Sequence, residues 1–191
     1  MRRVLLLTLL ALAIPMAAWA NSGIDLSNHD GTITGDNAGL SLTGSIIKVY
    51  GSTVGINLGT VEFKTGAFIS GNAQDGGDLA AGGTFTITGN GTNGVPNGVI
   101  FNGSFSAATW SYITLSDGTH QYTLKGAIVD ASGRVGATSQ LTVNVGKGLF
   151  SGTAGLASGD TSLSVPEPGT LGLLGTGLVG LAGVMRRRFR I

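Results

Sequence analysis

The chain has 191 residues and a formal net charge of +1, but its charge is unevenly distributed along the sequence. Six of the 11 basic residues lie in the two end segments, so residues 21–165 carry five basic and nine acidic side chains. A body with net negative charge and no basic stripe argues against a nucleic-acid partner. The absence of cysteine excludes disulfides, thiolate catalysis and cysteine-based metal sites.

Residues 1–20 have the pattern of a secretory signal peptide. Arg2 and Arg3 supply the charged start, residues 4–14 form a short apolar core, and Ala18 and Ala20 are the small residues expected before a signal peptidase cleavage site. We therefore predict export through the Sec pathway and cleavage after Ala20. The alternative, an uncleaved anchor helix, is disfavoured because the apolar core is short.

Residues 21–145 predict a β-rich exported domain. Gly, Thr, Ser, Asn and Val dominate the region, and short alternating runs are separated by Gly and Asn, without helical periodicity. About eight to ten short antiparallel strands favour a β-sandwich or a related barrel, and a solenoid is the lesser alternative because no strict repeat occurs. The strands predicted before residue 110 are 32–34, 40–43, 45–50, 60–64, 67–70, 84–88 and 99–106.

A β-hairpin around Asp117 and Gly118 is the clearest local signal. Residues 110–116 and 119–129 flank this Asp-Gly pair, which is typical of a two-residue type I′ turn. Residues 138–145 follow as a third strand in which apolar and polar side chains alternate. Together the three strands predict an antiparallel meander.

The register of this hairpin determines which aromatic side chains face solvent. With a two-residue turn, Ile113 faces Tyr122 on a mostly apolar face, and Trp110 and Tyr112 lie together on the other, polar face. Two exposed aromatic rings could stack on a sugar, which makes exopolysaccharide a candidate partner. The alternative, which we favour, is that both rings pack against other strands.

Two sequence features could indicate a cofactor or a metal, and we interpret both as structural. Residues 89–94 match the pattern Gly-x-Gly-x-x-Gly, but Val95 and Pro96 follow where a dinucleotide site needs a helix. His29 and His120 are not accompanied by a second His or Asp cluster at ligand spacing. We therefore predict a loop at 89–94 and no cofactor.

Acidic residues in glycine-rich loops leave Ca²⁺ as the one metal to consider. Asp75 and Asp78 flank two glycines, but no cluster fits EF-hand or calcium-repeat spacing, so we expect solvated loop acids. No nucleophile elbow, phosphate loop or zinc-protease motif occurs, and we therefore expect a protein that is not an enzyme. The remaining candidate Ca²⁺ ligands are Asp25, Asp30 and Asp36.

Residues 146–165 predict a Gly/Ser-rich tether, with at most a short strand near Leu149 and Phe150. After it, residues 169–185 predict a single transmembrane helix. The latter stretch has no charged residue, and at about 1.5 Å per residue it reaches roughly 25 Å, near the short limit for crossing a bilayer. A buried core helix is the alternative, but the basic tail 186–191 is typical of a cytoplasmic stop-transfer signal. The arginines of this tail are Arg186, Arg187, Arg188 and Arg190.

Pro166, Glu167 and Pro168 form an extended segment before the predicted helix, because each proline fixes its own φ and restricts the preceding residue. With the Gly/Leu-rich span and the terminal arginines, residues 165–191 resemble the PEP-CTERM sorting signal of bacterial envelope proteins. The resemblance implies that the signal, residues 166–191, is recognised by an exosortase, a membrane enzyme that removes the tail. It also implies that Pro166, Glu167 and Pro168 are the recognition element.

These features predict export, anchoring in the inner membrane by the C-terminal helix, and then placement at the cell surface or release. The function that we expect is that of a non-catalytic cell-surface or extracellular-matrix protein. One alternative is an exported enzyme or binding module that acts on polysaccharide. A second alternative is a single-pass protein whose membrane anchor is never removed.

Overall fold

The computed structural model describes residues 23–164, in which eleven β-strands and no helix are found. The mainly β composition predicted from the sequence is therefore confirmed for this part of the chain. The predicted signal peptide and C-terminal transmembrane helix lie outside the described residues. The strands are β1 Ile24–His29, β2 Thr32–Asp36, β3 Gly39–Tyr50, β4 Thr53–Val54, β5 Gly59–Lys64, β6 Gly77–Leu79, β7 Gly82–Asn90, β8 Asn97–Thr114, β9 His120–Val129, β10 Val135–Val145 and β11 Thr153–Leu163.

Eight of these strands close into an antiparallel barrel. Each barrel strand pairs with the next in the order β1, β3, β5, β7, β8, β9, β10 and β11, and β11 returns to pair with β1. At this closure Ile24 pairs with Leu163 and Asn28 pairs with Gly159. In a closed barrel, the edge strands that a sandwich would leave unpaired are paired with each other. Of the two predicted architectures, the barrel is therefore the one that forms.

β1 and β2 occupy one position in the barrel wall, with a kink between them. β2 pairs with β3 and β11, which are the same neighbours that flank β1. The kink falls at Asp30 and Gly31, whose φ angles are 57° and 83°. Glycine is required at position 31 because a Cβ there would lie 2.7 Å from backbone atoms of Thr43 and Ser45.

Between β5 and β7 the chain leaves the wall as a hairpin that we call the cap hairpin (residues 65–81). β6 lies within it and pairs with the later part of β8. The two arms of the cap hairpin meet at an isolated bridge between Phe68 and Leu79. The strand predicted at 67–70 is therefore wrong, because this segment makes only that one bridge.

The predicted hairpin between β8 and β9 is confirmed, but its register is shifted by one residue. Tyr112 pairs with Tyr122, whereas the two-residue turn would have paired Ile113 with Tyr122. The amide of Leu115 donates to the carbonyl of Thr119, so the loop holds three residues, and the glycine of the Asp-Gly pair has a φ of 81°. A glycine with positive φ suits loops of either length, so the Asp-Gly pair does not determine the register by itself.

This shift exchanges the two faces of β8. Trp110 is buried and Tyr112 packs against the core, whereas Ile113 and Leu115 are exposed. Our assignment of Trp110 and Tyr112 to the polar face of the hairpin was therefore wrong, whereas the packing of both rings that we favoured is observed. The physical reason is the two-residue period of a strand, because a slip of one residue moves every side chain to the opposite face.

The structure contains a strand where we predicted a Gly/Ser-rich tether, because β11 lies within residues 146–165. β11 pairs with β10 along one side and with β1 along the other. Leu156, Thr161 and Leu163 are buried on its inner face. The region preceding β11 contains no strand, although Phe150 is fully buried. In β11, small Gly and Ser residues separate the few apolar ones. The alternation of inward and outward side chains is therefore difficult to recognise from the sequence.

Side chains fill the interior of the barrel. Phe105 packs edge-to-face against Phe63 and Phe85, with ring centroids 5.5 Å and 5.7 Å apart. A barrel of eight strands is just wide enough for inward side chains to meet, so this interior is a packed core. The largest fully buried side chains are Trp110, Tyr122, Phe85, Phe105, Phe150, Leu26, Ile33, Leu40, Leu42, Ile47, Leu58 and Leu79.

Antiparallel strands place alternate connections at opposite ends of the barrel. The end that we call the mouth carries the cap hairpin and the connections 37–38, 115–119 and 146–152. The other end, which we call the base, carries the connections 51–58, 91–96 and 130–134, together with the beginning of β1 and the end of β11. The two ends of the described chain therefore leave the barrel side by side at the base.

Candidate binding site at the barrel mouth

A cluster of aromatic rings lies directly beneath the mouth. Trp110 and Tyr122, which face inward from β8 and β9, stack with centroids 5.1 Å apart and planes 24° apart. Phe150 meets Trp110 edge-to-face at 5.6 Å, and Tyr112 contacts Tyr122 at 4.9 Å. Pairs in these arrangements stabilise a core beyond the area that they bury. The cluster is the floor of the mouth.

The cap hairpin is fixed over this floor by two polar atoms of the aromatic cluster. Trp110 Nε1 donates to the carbonyl of Ala73 at 2.9 Å, and Tyr122 Oη donates to the carbonyl of Gln74 at 2.6 Å. The same Tyr122 oxygen accepts the amide hydrogen of Phe150 at 3.1 Å. Carbonyls of an irregular loop that turn inward need such partners, so these bonds set the position of the cap.

The tip of the cap hairpin is also ordered by its own side chains. Asn72 Oδ1 accepts hydrogen bonds from the amides of Gln74 and Asp75, both at 2.8 Å, and Asn72 Nδ2 donates to the Asp75 carboxylate at 2.8 Å. Asx turns of this kind hold a loop without regular strand pairing. The rim of the mouth is therefore preorganised.

A groove of about 760 Å³ runs across the mouth between three connections. Its walls are residues 35–38, 72–74 and 150–152, and the amide of Gly35 joins the first and last of these by donating to the carbonyl of Gly152 at 2.9 Å. This volume lies in the range of small-molecule sites. The polar side chains that line it are Asp36, Asn37, Asn72, Gln74 and Ser151.

Burial changes the acidity of one group beneath the groove. Loss of hydration raises the pKa of the Tyr122 phenol above its ordinary value of 10.0, while its bond with the amide of Phe150 acts in the opposite direction. The phenol therefore stays protonated at neutral pH and keeps donating to the cap hairpin. Its role in the mouth is to hold a hydrogen bond, which requires the neutral form.

A second, smaller depression of about 500 Å³ lies on the wall formed by β8, β9, β10 and β11, and we call it the outer groove. Lys125, Gln140 and Asp160 line it in a row across three strands, because Gln140 pairs with both of the others. It carries one cationic and one anionic side chain. No aromatic ring lies among the residues that line it.

The residues proposed for sugar stacking do not form an exposed platform. Trp110 is fully buried and its indole nitrogen is bonded to the cap hairpin, so no sugar can stack on it. Tyr112 is half-buried against Tyr122 and the ring of His120. The packing alternative is therefore the one observed. The burial of Trp110 follows from the hairpin register, which the sequence did not determine.

The candidate metal and cofactor residues are separated by the fold. His29 Nδ1 lies 2.9 Å from a carboxylate oxygen of Asp30, and both side chains are at the kink between β1 and β2. Residues 89–94 end β7 and enter a turn that leads to β8. Asp78 accepts hydrogen bonds from the hydroxyls of Ser70 and Thr109. Within residues 23–164, no three His, Asp or Glu side chains meet to form a metal site.

The residues with predicted roles in export lie beyond the described part of the chain. They are Ala18 and Ala20 of the cleavage site, Pro166, Glu167 and Pro168 of the recognition element, and Arg186, Arg187, Arg188 and Arg190 of the basic tail. Between residues 23 and 164, no helix has the length and hydrophobicity needed to cross a membrane.

The groove at the mouth was not predicted from the sequence. Its walls combine residues from three connections that are far apart in the chain, and two of its essential groups are the backbone carbonyls of Ala73 and Gln74. A carbonyl has no sequence signature. The available signal was the polar group Asn72, Gln74 and Asp75, of which we considered only Asp75, as a candidate Ca²⁺ ligand that we expected to be a solvated loop acid.

Comparison with known protein families identifies the tail of the chain. The family model of the PEP-CTERM protein-sorting motif matches residues 164–188. No curated protein and no solved structure matches the chain. The predicted sorting signal is therefore confirmed, and it marks an exported protein for which an exosortase is the processing partner.

Proposed function

Because the chain carries a PEP-CTERM motif at residues 164–188, we propose that it is a non-catalytic barrel protein of the cell surface or extracellular matrix. Signal peptidase cleaves it after Ala20, its C-terminal helix holds it in the inner membrane, and an exosortase then removes the tail. The barrel is the part that remains at the surface or is released.

The observation that carries this proposal is the position of the motif relative to the barrel. The matched stretch begins at Ser164, and β11 ends at Leu163. Both sides of β11 are paired, and Ser164 adds a hydrogen bond from its amide to the carbonyl of Gly136 at 2.8 Å. A cut after the recognition element would therefore leave every strand of the barrel in place.

The charges in the two grooves support a non-catalytic role. The mouth groove is lined by a single carboxylate, Asp36, and the outer groove by a single carboxylate, Asp160. Most glycoside hydrolases use a pair of carboxyl groups on either side of the bond that they cleave. Neither groove offers such a pair, which favours a structural or binding protein over a polysaccharide hydrolase.

The mass of the mature protein tests the proposed processing. We expect protein from wild-type cells to lack residues 1–20 and the C-terminal segment, and protein from cells without the exosortase to keep that segment. Glu167→Gln should retain the segment in both strains, whereas the matched substitution Glu62→Gln on β5 should be processed normally. A mass that includes Ile191 in every strain would contradict the proposal and support the permanently anchored alternative.

The mouth groove favours carbohydrate binding as a second candidate function. Carboxylate and amide side chains can donate to and accept from the hydroxyls of a sugar, and four of them line the groove. The side chains of Asn37 and Gln74 can be changed without removing the bonds to the cap hairpin, because only their backbone carbonyls accept hydrogen bonds from Phe68 and Tyr122.

This second function can be tested by retention of the mature protein on exopolysaccharide from the producing cells. Asn37→Ala with Gln74→Ala should weaken retention about tenfold if each side chain contributes one net hydrogen bond. Gln140→Ala in the outer groove is the control and should leave retention unchanged. Equal retention of all variants would exclude the mouth groove as the binding site.

A further inference from the structure

Each end of the barrel exposes four large apolar side chains. At the base these are Val54, Ile56, Val99 and Val135, with 76%, 84%, 65% and 55% of their surfaces exposed. At the mouth they are Ile69, Ile113, Leu115 and Leu149. Exposed apolar side chains that share one side of a protein often mark an interaction surface. Their number alone does not distinguish the two ends.

Charge does distinguish the two ends. Counted over the connections and the three strand residues next to them, the base has two acidic and two basic side chains, and the mouth has five acidic and two basic ones, so only the mouth carries excess negative charge. Anionic lipid headgroups repel such an excess, whereas a balanced surface permits contact. The side chains counted are Asp25, Asp130, Lys48 and Arg134 at the base, and Asp36, Glu62, Asp75, Asp78, Asp117, Lys64 and Lys147 at the mouth.

The position of the chain ends also distinguishes them. Ile24 and Leu163 pair at the base, so the chain continues from this end toward the predicted span at 169–185. Five residues, 164–168, separate Leu163 from the start of that span, and the six steps from one Cα to the next reach at most about 20 Å when fully extended. The base therefore cannot lie farther than this from a membrane that contains the span.

We infer that the base of the barrel docks on the lipid surface of the membrane that holds the unprocessed protein. Val54 and Ile56, Val99, and Val135 lie at three separate places around the base, and together they can enter the interfacial region of a bilayer. The inference rests on the proposed function, because it requires the tail to be in the membrane before processing. Docking directs the mouth groove away from the lipid.

Depth-dependent fluorescence quenching in the full-length protein tests the inference. The chain has no cysteine, so Ile56→Cys or Ile69→Cys provides a single labelling site at the base or at the mouth. Each labelled protein is reconstituted in vesicles of phosphatidylethanolamine and phosphatidylglycerol, with or without lipids that carry a nitroxide on the acyl chain. We expect acyl-chain quenching to be at least about twofold greater at position 56 than at position 69.

Variants separate docking from simple proximity. With the label at Val99→Cys, the pair Val54→Ser and Ile56→Ser should lower acyl-chain quenching, and the matched pair Ile69→Ser and Ile113→Ser should not. Equal quenching at both ends, stronger quenching at the mouth, or an identical result for both pairs would overturn the inference. So would label self-quenching at position 56 that persists in detergent, since this indicates a second copy of the chain as the occupant.

The same samples distinguish this inference from the proposed function. Protein that floats with the vesicles but shows no selective quenching at position 56 has an inserted tail and an undocked base, so only the inference fails. Protein that does not float with the vesicles contradicts membrane anchoring by residues 169–185, and the inference then fails with it.

Discussion

The mouth and the base of the barrel differ in how their connections are stabilised. At the mouth, buried aromatic side chains bond to loop carbonyls, as Trp110 does with Ala73 and Tyr122 does with Gln74. At the base, the connection after β3 is held by backbone bonds, such as that from the amide of Gly51 to the carbonyl of Asp25 at 2.7 Å, and by the exposed side chain of Asn90, which donates to the carbonyl of Asn57. Buried side chains reach both ends, since Leu58 and Val95 lie in connections of the base, but within residues 23–164 the buried side chains that hydrogen-bond to a connection lie at the mouth.

This difference matches the roles that we propose for the two ends. A binding groove needs walls whose positions do not change, and bonds from the packed core supply that rigidity. A surface that contacts lipid needs exposed apolar side chains more than a fixed loop geometry, as for Ile56 at the base. Substitutions at the two ends should therefore have unequal effects on stability.

The largest effect is expected for Trp110→Ala. The substitution removes a fully buried ring and its bond to Ala73, and should lower the free energy of unfolding by about 3–5 kcal/mol. Ile56→Ala at the base removes an exposed side chain and should change it by less than about 0.5 kcal/mol. Urea denaturation of both variants measures the difference. Similar losses would show that the base is as strongly coupled to the core as the mouth.

Tyr122→Phe should have the next largest effect. It keeps the ring but leaves the carbonyl of Gln74 and the amide of Phe150 without their shared partner, at a cost of about 1–3 kcal/mol. Hydrogen exchange of the cap hairpin should quicken, whereas exchange in residues 51–58 should stay as it was. Unchanged exchange in the cap hairpin would mean that the Trp110 bond alone fixes the cap.

The same substitution should alter stability at high pH. Because burial raises the pKa of Tyr122 in the folded protein, the unfolded chain loses this proton first, and the free energy of unfolding falls as pH rises past about 10. Tyr122→Phe should remove part of that fall. Burial also raises the pKa of Tyr50 at the base, so Tyr50→Phe is the comparison. Denaturant titrations between pH 8 and about 11 measure both contributions.

Local features of the barrel were predictable where neighbouring residues determine them. The Asp-Gly pair identified the β8–β9 hairpin, although not its register, and alternation at Leu141 and Val143 identified β10, which pairs with β9 as expected. The sorting signal was predictable for the same reason, because Pro166, Glu167 and Pro168 and the segments after them form one linear pattern. In each case, the determining residues are adjacent in the sequence.

Features that depend on distant contacts could not be predicted. β1 and β11 close the barrel from opposite ends of the described chain, and β11 has few large apolar residues to indicate a strand. Trp110 was assigned to the wrong face because the hairpin admits two registers, and only the packed interior selects between them. The mouth groove was missed because its walls meet only after the barrel closes.

The interior near the base offers a smaller test of how buried polar atoms are satisfied. The hydroxyls of Ser139 and Thr161 lie 2.9 Å apart on β10 and β11, and both are buried. Ser139→Ala or Thr161→Val alone should cost about 1 kcal/mol, because each leaves one hydroxyl unpaired. The double variant should cost less than the sum of the two. Additive losses in urea denaturation would indicate that the pair is not coupled.

The smallest effect is expected in two turns at opposite ends, which share the same capping bond. Asp117 at the mouth accepts a hydrogen bond from the hydroxyl of Thr119, and Asp130 at the base accepts one from the hydroxyl of Ser132. These bonds lower the pKa of each carboxyl below its ordinary value of 3.8. The unfolded chain therefore binds these protons first as pH falls, and stability is lost below about pH 4. Asp117→Asn and Asp130→Asn should each remove a small, equal part of that loss in acid titrations monitored by circular dichroism. If Asp117→Asn changed acid stability much more than Asp130→Asn, the aromatic cluster would also stabilise the turn at Asp117. The rigid region of the mouth would then include the β8–β9 connection.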